Sequence, residues 1–272
     1  MMKQSQAKKH DNTMTNKILM RLIALVLGLL FLEILIIHSK NEQQKSVSNQ
    51  VQTARIMANG DLLYHDGLYM SALQADGSYD FTENFTYVKP WLKQADLVLG
   101  DFEGTINPDY PLSGYPLFNA PQSVTAAISD AGYDVMDLAH NHILDSGLEG
   151  AFTTADAFKE VGIDPVGVYE NPVRDKAPLF IKNVNGIKVA ILSYAYGFNG
   201  LESNLTEKEI ANHLSNLDEK RMKVEIERAE KEADVTVIMP QMGVEYRLEP
   251  TDEQVKLYHK MIDWGADIIF GG

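Results

Sequence analysis

From residue 53 onward, short apolar runs alternate with stretches whose apolar positions recur every three or four residues. The first pattern predicts strands and the second predicts helices. "ARIMAN" (54–59) reads as a strand that ends at Gly60 and Asp61, and "ADLVLGDFEG" (95–104) as a strand that ends in acids. "FTYVKPWLKQ" (85–94) has helical spacing with Pro90 inside it, and "PQSVTAAISDAG" (121–132) is a helix with Gly132 as its stop. "YDVMDLAHNH" (133–142) predicts a strand, the segment 148–160 a helix, and "DPVGVY" (164–169) a short strand.

The second half continues in kind. "LFIKNVNGIKVAILSYAY" (179–196) sets two apolar runs on either side of Asn185-Gly186, which predicts a hairpin. A charged helix is expected over 216–233, then a strand and loop in "DVTVIMPQMGVEY" (234–246). The next helix covers 251–265, with Thr251 as N-cap and Gln254 three residues on, as a capping box requires. "ADIIFGG" (266–272) begins a last strand. Strands alternating with helices predict an α/β domain, and their apolar character on both faces predicts helix-covered sheets.

Before this domain lies a different pattern. Residues 18–37, "ILMRLIALVLGLLFLEILII", are apolar all round apart from Arg21 and Glu33. A bilayer core is crossed by about 20 such residues. Lys3, Lys8, Lys9, Lys17 and Arg21 against Asp11 predict a cytoplasmic N-terminus. We therefore expect a basic cytoplasmic tail over 1–17, a transmembrane anchor over 18–37, a polar linker over 38–52 and an extracellular domain over 53–272. A cleaved signal peptide is the alternative, but the run is long for one and no small-x-small site follows it.

Charge and composition narrow the partners. The 272-residue chain carries −14 at pH 7. Its first 40 residues hold six Lys and Arg against two acids, leaving 18 against 36 and a net −18 beyond them. Such a domain lacks the basic face that nucleic acid requires. The absence of cysteine removes disulfides and thiolate metal sites.

The candidate chemistry sits at the C-terminal ends of the predicted strands: Asp61, Asp101 and Glu103, Asn141 and His142, and Gln241 with Glu245. In a parallel sheet these ends converge on one edge, where ligands bind. Carboxylates, amide carbonyls and imidazole suit divalent Zn, Mn or Fe, which can activate a water against a phosphoryl or acyl centre. Taken singly each is unremarkable: a strand-final Asp is most often a cap or turn former, and His140 and His142 share an i, i+2 relation at a strand end.

The ordered set "NGD…GDFEG…LAHNHILDSG…PQMGVEY…GADIIFGG" resembles the CapA (PgsA-type) poly-γ-glutamate capsule biosynthesis family, which is similar to the calcineurin-like metallophosphoesterases. The resemblance covers 54–272. It implies a layered α/β/β/α sandwich with a divalent metal centre at the strand ends. Asp61 is then a first metal ligand, Glu103 stands where a bridging carboxylate belongs, Asn141 is a ligand, His142 is the catalytic group beside the leaving group, and Asp145 orients it. Asp101 stands where many members have Asn, so either Asp101 or Glu103 takes the ligand role. Gln241 replaces a histidine, and the chain stops at Gly272 where the family continues with a His-x-His segment, so the domain is expected to be C-terminally incomplete. The leading expectation is a membrane-anchored protein acting on an anionic envelope polymer or with its synthesis and export machinery. A metal-dependent phosphoesterase of the envelope and a non-catalytic scaffold with a decayed metal site are the alternatives.

Overall fold

The computed structural model describes Met20, residues 25–40 and residues 51–272. Its contacts divide the chain into residues 1–51 and 52–272. In the first unit, residues 25–40 are helical. Among the described residues no helix is long and apolar enough to cross a membrane. The expected basic tail, part of the expected 18–37 span and most of the linker lie outside the described residues.

The second unit contains two four-stranded sheets. The first is parallel throughout, in the order β1 (Ile56–Asp61), β2 (Leu97–Asp101), β3 (Val135–Asp137), β4 (Asp164–Val166). The second runs β5 (Ile181–Val184), β6 (Ile187–Ala195), β7 (Val235–Gln241), β8 (Ile268–Ile269). Only its β5–β6 pair is antiparallel. That pair is the expected hairpin, with Asn185 at φ 54° and Gly186 at φ 90°, the left-handed geometry an Asn-Gly turn supplies. β8 is the last strand of its row among the described residues, and Ile268, Ile269 and Phe270 are half-buried.

Side chains alternate across the strands and define four layers. Leu97, Leu99, Val135, Val189, Ile191, Val237 and Met239 meet in one cluster between the sheets. Their neighbours in sequence point outward: Val98 and Met136 to one helical layer, Ala190, Leu192 and Ile238 to the other. The first layer holds α3 (Ser123–Ala131) and α4 (Gly147–Glu160). In α3 the buried apolar residues are Val124, Ala127, Ile128 and Ala131, a helical stripe that covers the sheet. The second layer holds α6 (Glu219–Glu232) and α7 (Asp252–Trp264), through Met222, Ile226, Ala229, Leu257 and Met261. Each fully buried aliphatic side chain contributes about 1.5–3 kcal/mol. The expected α/β class with parallel sheets is thus the observed one.

Local signals explain where helices start and stop. Both halves of the Thr251–Gln254 capping box form, and α7 ends at Gly265 with φ 117°. The expected helix over 85–94 is shorter: a 3₁₀ turn at Thr82–Phe85 precedes the four-residue α2 (Lys89–Leu92). Pro90 explains this, because proline fits a first turn and cannot donate from within a helix. Two short helices escaped the pattern, α1 (Asp66–Ala72) and α5 (Glu207–His213). α5 carries a capping box from Thr206 and Glu209.

Candidate functional site

The carboxyl ends of β1, β2 and β3 each finish in aspartate: Asp61, Asp101 and Asp137. Parallel pairing sets Asp101 beside Asp137. A register break between Ala58 and Asp61 brings Asp61 level with Asp101. Asp61 is exposed, while Asp101, Asp137 and Glu103 are buried. Asp61 faces both Asp101 and Glu103, so both expected ligand candidates stand in the same cluster.

Within this cluster, Asp101, Glu103 and Asp137 hold protons unusually well. Burial, then the charges of Asp137, Asp61 and Glu103, push Asp101 well above the usual carboxylate range. Burial and then Asp61 raise Glu103 to about 7, and burial raises Asp137 to about 7. His142 Nε2 lies 3.8 Å from Glu103 Oε1. Asp101 Oδ1 is buried without a hydrogen-bond partner.

The loop after β3 supplies the rest. Its first histidine, His140, is fully buried, and burial drives its pKa down. Its Nδ1 accepts from the His142 backbone N–H at 3.1 Å, so it braces the loop from within. His142 turns outward instead. Its Nδ1–H donates to Asp145 Oδ2 at 2.7 Å, and Asp145 Oδ2 also accepts from the Phe118 backbone N–H at 2.6 Å. Burial alone would lower the His142 pKa. The hydrogen bond and charge of Asp145, helped by Glu103 and Glu245, outweigh it and raise the value. The Phe118 ring stands edge-on to His142, 4.7 Å between centroids.

Asn141 and Gln241 face each other across the two sheets. Gln241 Oε1 accepts from the Asn141 backbone N–H at 2.6 Å, and Gln241 Nε2 donates to Asn141 Oδ1 at 3.0 Å. Asn141 Nδ2 donates to Asn199 Oδ1 at 3.2 Å. Both amides proposed as metal donors are therefore engaged with one another.

Asp61, Glu103, Asn141 and Gln241 open on a cleft of about 610 Å³, whose other wall is the loop 242–250. A neighbouring cavity of about 320 Å³ is lined by Asn59, Asp101, Asp137 and Gln241. In kind these donors suit a hard or borderline divalent cation, and the orphaned Asp101 oxygen beside uncompensated carboxylates is what a cation would satisfy. In position, no three His, Asp or Glu side chains among the described residues converge as a formed metal set.

Two members of the site were not anticipated. Asp137 carried a signal, as the third strand-final aspartate in a row. Asn199 lies in the loop after β6 at φ 55°. Its Asn-Gly sequence signals a left-handed turn, but nothing local in sequence joins it to residue 141.

Comparison with known proteins identifies relatives of the chain. The family model described as bacterial capsule synthesis protein PGA_cap matches residues 55–272. "Capsule biosynthesis protein CapA" of Bacillus anthracis is 34% identical over 196 residues, covering 69% of this chain and 47% of that protein. "PGA biosynthesis protein CapA" of Bacillus subtilis (strain 168) is 27% identical over 267 residues, covering 97% of this chain and 68% of that protein. The chain thus spans about half to two thirds of these relatives' lengths. Among solved structures, a putative 5'-nucleotidase from Staphylococcus aureus superposes with a TM-score of 0.52 at 14% identity. It covers 80% of this chain and 45% of its own, a likeness of fold. With the family model matched from residue 55 to Gly272, the chain belongs to the bacterial capsule synthesis protein family PGA_cap.

Proposed function

We propose that this chain serves poly-γ-glutamate capsule biosynthesis as a membrane-anchored protein with a divalent metal site at the carboxyl edge of its sheets. The observation that carries the reading is the His142–Asp145 pair beside a carboxylate cluster, with His142 Nε2 3.8 Å from Glu103, which lines the cleft together with Asp61. Asp61, Asp101, Glu103 and the Asn141 carbonyl are the groups that would hold Mn, Zn or Fe. When bound, such a metal lowers the pKa of water and polarises a phosphoryl or acyl oxygen. Asp145 fixes the tautomer of His142, leaving Nε2 toward the cleft as the group that carries a proton to a leaving atom. The acidic domain repels a polyanion at long range, so binding an anionic polymer through this cleft depends on the metal.

The anchor is proposed from the sequence: residues 18–37 span the membrane, the basic tail stays in the cytoplasm, and the domain lies outside. Protease added to intact cells is then expected to digest the chain beyond residue 52 and spare its first residues.

A second reading, a scaffold without turnover, is favoured by one observation: Asn141 and Gln241 already satisfy each other. Metal analysis of the purified chain, with turnover of a generic phosphodiester, separates the two. Stoichiometric metal with His142-dependent turnover supports the first reading. Metal below one equivalent and no turnover supports the scaffold.

A further inference from the structure

A further hollow, of about 460 Å³, meets the His142–Asp145 pair at Asp145. Asp145 forms part of its wall; its side chain is 1% exposed and its Oδ1 has no partner. The opposite wall is the loop between Asn107 and Asn119. This loop is tied down from beneath by buried Asn119. Its Nδ2 donates to the carbonyls of Asn107, Tyr110 and Pro111 at 3.0–3.2 Å, and its Oδ1 accepts from the Asn107 N–H at 2.8 Å. The Tyr69 hydroxyl reaches the carbonyls of Ser113 and Asn119. Gly114 is packed against Asp66, where an added Cβ would lie 2.9 Å from the carboxylate.

The backbone is fixed, yet the side chains it carries stand in water. Tyr115 is 77% exposed, Tyr110 51% and Leu117 46%. Beyond an edge-on contact of Tyr115 with Phe118, 6.5 Å between centroids, most of this aromatic surface is left to solvent. The rings become favourable when a ligand covers them, and a loop already ordered binds without a further ordering cost.

Charge selects the ligand. The charged groups lining the hollow are Asp66 and Asp145, with no Lys, Arg or His among them. Asp145 is paired with His142, whereas Asp66 makes no ion pair among the described residues. A free carboxylate beside exposed tyrosine faces attracts a cation and repels a polyanion. We infer that this hollow is a subsite for an ammonium-bearing organic group, held between Asp66 and the rings of Tyr110 and Tyr115. It rests on and deepens the proposed function by setting beside the cleft, across the His142–Asp145 pair, a separate hollow of opposite preference: anionic groups toward the metal, an amine beyond Asp145.

The test is calorimetric titration of the purified 272-residue chain with Nα-acetyl-lysine methylamide and with its Nε-acetylated, neutral counterpart. The charged ligand is expected to bind at least about fivefold more tightly. Tyr115→Ala and Asp66→Asn should each abolish that preference, and since both residues are exposed their melting temperatures should match the parent. Equal binding of the two ligands, no binding, or a preference that survives both substitutions overturns the inference. So does binding of chitotetraose in place of the lysine derivative, which would make the hollow a polyol site. The titration needs neither metal nor turnover, so it fails or succeeds independently of the metal reading.

Discussion

Asn141 and Gln241, 100 residues apart, hold each other by two hydrogen bonds at the seam where the two sheets meet, the backbone N–H of one and the amide of the other both engaged. Gln241 ends β7 of the second sheet, and Asn141 sits in the loop that follows β3 of the first. The bond pair therefore fixes the distance between the two halves of the candidate site. Gln241→Ala leaves a buried N–H and a buried carbonyl without partners, at a cost of about 1–3 kcal/mol. Urea denaturation should show that loss as a lower midpoint with an unchanged slope. An unchanged midpoint would mean that water replaces the glutamine without penalty and that the clamp is incidental.

The His142–Asp145 bond makes a prediction of a different kind. Asp145→Asn keeps the shape but removes the charge that, with its hydrogen bond, raises His142. The imidazole pKa should fall, and the Nδ1–H tautomer should lose its preference. Nitrogen-15 NMR of the ring reads both quantities directly. If the titration of His142 is the same in parent and variant, Asp145 is not what orients the ring.

Much of this site was legible in the chain, and the reasons for the gaps are physical. Strand-final acids were legible as an ordered set along successive strands, although a single one is most often a cap or turn former. The Thr251–Gln254 capping box and the Asn185-Gly186 turn were equally plain, since both are local chemistry. The partition of eight strands into two sheets was not legible from periodicity, because a two-sided apolar strand looks the same in either sheet. The resemblance supplied that layering. Asp137 was passed over because the apolar pattern carried its strand on to residue 142, whereas the strand ends at Asp137 itself. Asn199 and the Asn141–Gln241 clamp depend on contacts across 58 and 100 residues, which spacing does not encode.

Arg174 and Glu225 provide a test of the fold remote from the cleft. The guanidinium is buried at 1% exposure and bonds Glu225 with both Nε and Nη2, at 3.0 and 2.7 Å. The Tyr194 hydroxyl donates to the same carboxylate at 2.9 Å. Glu225→Ala would strand a charge inside the protein, which costs about 3–5 kcal/mol for a fully buried pair. Glu225 is one-fifth exposed, so about 3 kcal/mol is expected. The double substitution Arg174→Met with Glu225→Leu should recover most of it. A single variant as stable as the parent would show that water reaches the guanidinium.

The carboxylate cluster should make the metal-free protein less stable as pH rises. Glu103 is raised from 4.5 to about 7 and Asp137 from 3.8 to about 7. Between those limits the folded state holds protons that the unfolded state has released. Stability depends on pH through the difference in bound protons, so it must fall as pH rises from about 4 to about 7, and it stays low above that. His142 acts in the same direction, because an imidazole raised on folding contributes stability that is lost as pH passes its folded value. The melting temperature of the metal-free chain is therefore expected to be higher at pH 5.5 than at pH 8. Glu103→Gln should flatten that slope by removing one of the repelling charges. Millimolar Mn²⁺ should raise the melting temperature at pH 8 far more than at pH 5.5, because a cation competes with the protons for the same oxygens. If the slope is flat, these carboxylates are ionised in the folded protein at ordinary cost, and the case that they await a cation loses its energetic support.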